Sequence, residues 1–188
     1  MKKQSSIYSS IIGVACVTLF LLLIPFVAMH FTNEVNWSSL DFIIMGALIF
    51  GTGISFTWLV RRSPNLMYRI AISITVVATF LMIWANLAVG LIGSGPNIGN
   101  LMYIAVAIVV IVGSLLSQFK AAGMERAMYV TVLTLVVLAT IALLAGMQHH
   151  GSSVIEILGV NGFFAGLFLV SAALFHYAAK NALNRTSL

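Results

Sequence analysis

The chain has little charge, one cysteine and three prolines, and the first two of these shortages each exclude a class of protein. Charged residues make up 7% of the 188 positions and hydrophobic residues 61%, with a mean hydropathy of +1.11. Soluble globular domains carry about 25% charged residues, so an ordinary soluble domain is excluded. The lone thiol of Cys16 excludes an intramolecular disulfide and a multi-cysteine metal site.

Long apolar runs are what the chain has in abundance. Six of them alternate with short polar segments. Each is near the length of about 20 residues that a helix needs to cross a hydrocarbon layer of ~30 Å. We therefore predict one all-α membrane domain over residues 1–188, a bundle of six transmembrane helices. The predicted spans are approximately 11–31, 41–60, 70–92, 101–119, 127–147 and 154–178.

The basic residues lie in alternate polar segments, before the first span, after the sixth, and in the second and fourth gaps. They are Lys2, Lys3, Arg61, Arg62, Arg69, Lys120, Arg126, Lys180 and Arg185. Positive charge beside a span resists translocation, so this pattern predicts that both termini are cytoplasmic. The same pattern accounts for the net charge of +5 through anionic lipid headgroups, and nucleic acid is not an expected partner.

Three helix starts carry capping signals. Ser38 with Asp41, and Ser153 with Glu156, match the capping box that opens a helix, here spans two and six. Ser63 precedes a proline, and a proline at the first helical position predicts that Ser63 caps span three.

Lysine, arginine, aspartate and glutamate are all missing from the depths of the six runs. Ion-coupled transporters and proton pumps usually keep such a charge inside the membrane, so their absence disfavours active transport. Asn86 is then the best intramembrane candidate, on one helical stripe with Thr75 and Thr79. Its amide either hydrogen-bonds a neighbouring helix or lines a pore. In the sixth span, Gly162 and Gly166 form a G-x-x-x-G motif that permits close helix approach.

Three histidines belong to the side opposite the lysines and arginines: His30, His149 and His150. Neutral imidazoles can bind zinc or copper, so a metal or haem site is one prediction for this outer face. The alternative is a solvated turn at 149–150, with the neighbouring carboxylates acting as helix caps. His176 lies at the other end of its span, so it cannot share one haem with His30. We expect no bound cofactor.

The segment 84–103 resembles a signature of a group of small bacterial multi-span proteins without an assigned activity. The matching residues are the run from Trp84 to Ser94, then Asn97, then the run from Asn100 to Tyr103. Related versions carry acids after the Gly-Ser pair, where this chain has Gly95 and Pro96, so cation binding by the outer-loop residues Ser94, Asn97 and Asn100 is weakened. The resemblance implies a bacterial inner-membrane protein and implies no activity.

These observations favour a non-enzymatic structural or accessory membrane protein. Its expected partners are the lipid bilayer, a second copy of the chain or a client membrane protein. The rival prediction is a small channel or transporter for a neutral or weakly polar solute, lined by Asn86, Thr79, Thr75 and residues of the outer loop. Metal or haem capture at the outer face is the third.

Overall fold

The computed structural model describes residues 2–92, 98–147 and 153–186. Its regular elements are six α-helices and one short 3-10 helix, which confirms the all-α prediction for the described part of the chain. The α-helices are α1 (Lys2–Phe31), α2 (Ser39–Val60), α3 (Leu66–Ala88), α4 (Met102–Leu116), α5 (Ala121–Leu144) and α6 (Val154–Thr186), with the 3-10 helix at Ile98–Leu101. Six helical segments are long and apolar enough to cross a membrane, the fourth including part of the 3-10 helix.

The first of two compact units, Met1–Leu59, is a hairpin of α1 and α2. The two helices approach closely at Gly53, where an added Cβ would lie 2.6 Å from the side chain of Val14. Near the turn, the rings of Phe26 and Phe42 lie edge to face with centroids 6.4 Å apart. A small residue and an edge-to-face ring contact therefore join two helices whose remaining faces are largely exposed and apolar.

The second unit, Val60–Leu188, contains α3 to α6. Here α6 packs against both α3 and α5, and α4 packs against α5. Its core contains large side chains that are fully buried, among them Phe168, Phe175, Met82, Met128 and Leu135. That the two units make a single membrane domain stays a prediction.

A tight turn joins α4 to α5. Gln118 and Phe119 both have left-handed backbones, with φ of 52° and 58°. The amides of these two residues donate to the carbonyls of Leu115 (2.9 Å) and Ser114 (3.1 Å), which is the Schellman pattern of helix ends. Beside the turn, an added Cβ at Gly123 would lie 2.6 Å from Cβ of Ser117, so only glycine fits there.

The glycine motif of the sixth span does not bring two helices close together within the described part of the second unit. Added Cβ atoms at Gly162 and Gly166 would meet nothing within 4 Å. Close helix approach in the described part of the second unit occurs instead at Gly113, where an added Cβ would lie 2.9 Å from Cβ of Ala127.

The two predicted capping boxes are confirmed. The amide of Ser38 donates to Asp41 (2.7 Å), and the amide of Asp41 donates to the hydroxyl of Ser38 (3.3 Å). The corresponding distances at Ser153 and Glu156 are 2.8 and 3.1 Å. Each box satisfies two amides that a helix start leaves without partners.

Two other predicted boundaries are wrong. Asn65 caps α3 instead of Ser63, because its amide oxygen accepts from the amides of Met67 (2.9 Å) and Tyr68 (3.3 Å). The helix α3 ends at Ala88 instead of residue 92, because Gly90 turns the chain with a φ of 77°. Leu91 and Ile92, which follow Gly90, are buried in a loop and do not extend the helix.

Candidate functional site

The second unit holds a buried polar contact between α3 and α6. The hydroxyls of Thr75 and Ser171 lie 2.7 Å apart and share a hydrogen bond. Both also lie within bonding distance of the Ala71 carbonyl, at 3.1 and 2.9 Å. Thr75 is 3% exposed and Ser171 is fully buried. We call these three residues the Thr75 contact. In this contact, a polar residue of the predicted stripe joins α3 to α6.

Thr79, the next residue of the predicted stripe, serves its own helix. Its hydroxyl donates to the backbone carbonyl of Thr75 at 2.8 Å, one turn earlier in α3. Such a bond lets a threonine lie in an apolar helix without a partner from another element. The residue is only partly buried.

Asn86 and Asn100 join the end of α3 to the start of the 3-10 helix. The amide nitrogen of Asn86 donates to the backbone carbonyl of Asn100 at 3.1 Å. In turn, the side-chain oxygen of Asn100 accepts from the backbone amides of Leu91 and Ile92, both at 2.8 Å. One buried side chain therefore satisfies two buried donors in the loop that follows α3.

A third asparagine, which the sequence reasoning missed, joins α6 to α4. The amide nitrogen of Asn161 donates to the hydroxyl of Tyr103 and to the carbonyl of Ile157, both at 2.8 Å. Asn161 is 4% exposed and Tyr103 is 2% exposed. An amide within an otherwise apolar run was the signal that could have identified it, as it identified Asn86.

We refer to two hydrogen-bonded pairs, Asn86 with Asn100 and Asn161 with Tyr103, together as the asparagine cluster. Two of its buried atoms have no hydrogen-bond partner in the described part of the chain: the side-chain oxygens of Asn86 and Asn161. A buried polar atom without a partner costs about 1–3 kcal/mol. Each of these two oxygens therefore has capacity to accept from a further donor.

The other predicted site residues fall into two groups. Ser94, Asn97, His149 and His150 lie outside the described residues. His30 is described, and its Nδ1 lies 2.9 Å from the carbonyl of Phe26, on whose ring it also packs, with centroids 5.3 Å apart. Within ranges 2–92, 98–147 and 153–186, no group of three or more His, Cys, Asp or Glu side chains could hold a metal. Metal capture at 149–150 stays a prediction.

At the end of the second unit away from the asparagine cluster, the single acidic residue, Glu125, is paired with a histidine. Nδ1 of His176 on α6 lies 3.1 Å from the carboxylate of Glu125 on α5. The histidine side chain is 57% exposed, so solvent screens this pair and its contribution to stability is small. The pair matters locally, because His176 engages the single carboxylate that lies among several basic residues.

Searches of family models, of curated proteins and of solved structures find no match to this chain.

Proposed function

We propose that this chain is a non-catalytic integral membrane protein that acts as a structural or accessory component. The Thr75 contact carries the proposal. In a passive pore, Thr75 would present its hydroxyl to solute; here the hydroxyl is buried against Ser171 and the sulfur of Met128, 3.4 Å away. Thr79 is likewise bonded within its helix. The predicted stripe is used for helix packing, which supports a scaffold more than a conduit.

Solute flux tests this role directly. Purified full-length protein reconstituted into liposomes is expected to release neutral solutes such as glycerol and urea no faster than empty liposomes do. The matched variant is Asn86→Leu, which removes the amide of the predicted pore. Leakage through the natural sequence that disappears in Asn86→Leu, with helical content unchanged by circular dichroism, would overturn the accessory role in favour of a channel.

The proposed location is the bacterial inner membrane, with both termini in the cytoplasm. Support comes from the sorting of all nine lysines and arginines into alternate segments. Reporter fusions provide the test: a cytoplasm-active reporter at the C-terminus should be active, and the same reporter at Gly95 should be silent. A periplasm-active reporter should give the reverse pattern. Activity of one reporter at both positions contradicts the topology.

A second candidate function is binding or passage of a small polar solute at the asparagine cluster. The observation that favours it is specific: two buried amide oxygens lack donors among the described residues. A solute that carries a hydrogen-bond donor, such as an alcohol or an amide, complements these oxygens. Asn161→Leu should then abolish solute uptake that survives in Thr134→Ala, a substitution on the exposed face of α5.

A further inference from the structure

A cavity of about 370 Å³ opens at the end of the second unit where α3 and α5 begin. Its walls come from three places: the start of α3, the turn between α4 and α5, and the last part of α6. The lining includes Arg62, Asn65, Tyr68, Phe119, Lys120 and Ala178. We call it the basic pocket. It lies at the opposite end of α3 from the asparagine cluster and shares no residue with it.

The walls of the basic pocket are held in place by named contacts. The hydroxyl of Tyr68 donates to the carbonyl of Phe119 at 2.7 Å, which ties α3 to the left-handed turn. The guanidinium carbon of Arg62 lies 4.9 Å from the centre of the Phe119 ring. A cation over an aromatic face at this distance is attracted to it, so Arg62 is held at the cavity wall by a feature of the turn.

Among the described lining residues, the charged ones are both basic: Arg62 and Lys120. The nearest acid along α5, Glu125, is paired with His176. The described lining of the cavity therefore contributes two cationic side chains.

Backbone amides at the start of α5 add to the positive charge of the basic pocket. Lys120 is the N-cap residue of α5, and its side chain has no acceptor atom with which to cap the helix. By contrast, α3 is capped by Asn65 in the same pocket. The first-turn amides of α5 receive no side-chain cap, and Ala121 at that position lines the cavity. An uncapped helix start favours an anion through its amides and its dipole.

We infer that the basic pocket binds a phosphate group. Two cations and an uncapped helix start suit a phosphate, and the volume is close to the lower end of the range of about 300–1,000 Å³ for small-molecule sites. That size fits a headgroup, not a whole lipid. The group has two possible sources, the phosphodiester of an anionic phospholipid or a free phosphate. The inference does not depend on the accessory role, because solute flux and phosphate binding are measured separately.

Binding of full-length protein in phosphate-free detergent buffer tests the inference. The lipid arm uses nanodiscs of phosphatidylcholine with and without phosphatidylglycerol, and native mass spectrometry counts the lipids that remain bound. The soluble arm titrates inorganic phosphate and glycerol 3-phosphate by calorimetry. Saturable retention of phosphatidylglycerol alone identifies the lipid source, and saturable binding in the soluble arm alone identifies a free phosphate. Saturable binding in neither arm overturns the inference.

Charge variants locate the site. Arg62→Gln with Lys120→Gln should weaken binding about tenfold or more, since hydrogen bonds to charged groups are among the strongest in proteins. The control, Arg126→Gln with Lys180→Gln, removes the same net charge from exposed residues outside the lining. Equal weakening by both pairs would show general attraction to basic protein and would overturn the site.

A third variant separates binding from folding. Ala121→Asp places a carboxylate in the first turn of α5, where it favours the helix, so the protein should fold at least as well. The same carboxylate occupies the anion position and should abolish binding. Unchanged affinity in Ala121→Asp would show that the phosphate lies elsewhere.

Discussion

The Thr75 contact and the asparagine cluster are both polar groups in an apolar bundle, yet they differ in how completely they are satisfied. In the first, hydroxyls and a carbonyl saturate one another between α3 and α6. In the second, amides join α3, α4 and α6 but leave two buried oxygens without donors in the described residues. Hydroxyls have one proton to place, whereas an amide brings two donors and an oxygen. The difference teaches that a helix contact through asparagine retains binding capacity that a threonine contact does not.

The largest expected effect is at Asn100, and it tests whether the asparagine cluster is structural at all. Asn100→Ala leaves the buried amides of Leu91 and Ile92 without an acceptor, so the free energy of unfolding should fall by about 3 kcal/mol. Unfolding in increasing SDS, followed by tryptophan fluorescence, measures it. Thr134→Ala, which removes an exposed bond within one helix, should change it by less than about 0.5 kcal/mol. Equal losses of unfolding free energy in the two variants would mean that the buried bonds of Asn100 stabilise the protein no more than an exposed bond within one helix.

An intermediate effect is expected at the Thr75 contact. Thr75→Val and Ser171→Ala should each destabilise the protein, and a double-mutant cycle should give a coupling of about 1 kcal/mol, within the range for hydrogen bonds between membrane helices. The same SDS titration measures it. Additive losses would mean that the two hydroxyls do not act together, and the contact would then be no more saturated than the cluster.

The smallest effect should come from removing the link between Asn161 and Tyr103 altogether. Asn161→Leu together with Tyr103→Phe deletes both partners and an unsatisfied oxygen, so the change should lie within about 0.5 kcal/mol. Tyr103→Phe alone is the reference for the pair. A loss above 2 kcal/mol in the double variant would show that the link stabilises the fold as strongly as Asn100 does.

Local patterns in the sequence predicted local structure well. The capping boxes at Ser38 and Ser153 formed because each needs only four consecutive residues. The prediction that Ser63 caps α3 was wrong, because Asn65 is an equally good capping residue and lies directly before the helix. Hydropathy also placed the end of the third helix too late in the sequence, because buried loop residues such as Ile92 are as apolar as helical ones.

Long-range partners were beyond the sequence reasoning. The sequence singled out Thr75 and Asn86 as polar residues on one stripe. Their partners, Ser171 and the Asn100 carbonyl, depend on how helices pack, and one sequence alone does not specify that. The basic pocket has the same origin: Arg62 and Lys120 are 58 positions apart in the sequence, and a left-handed turn at non-glycine residues brings their segments together.

The shortness of α4 sets a condition on the host bilayer. Its 15 residues rise only ~22 Å, and the four residues of the 3-10 helix add ~8 Å. The sum equals a hydrocarbon thickness of ~30 Å and leaves no length for tilt, whereas the apolar part of α6, at 29 residues, has ample length to lean. Lipids with long acyl chains would therefore have to thin around α4, so chain length should be chosen deliberately when the protein is reconstituted.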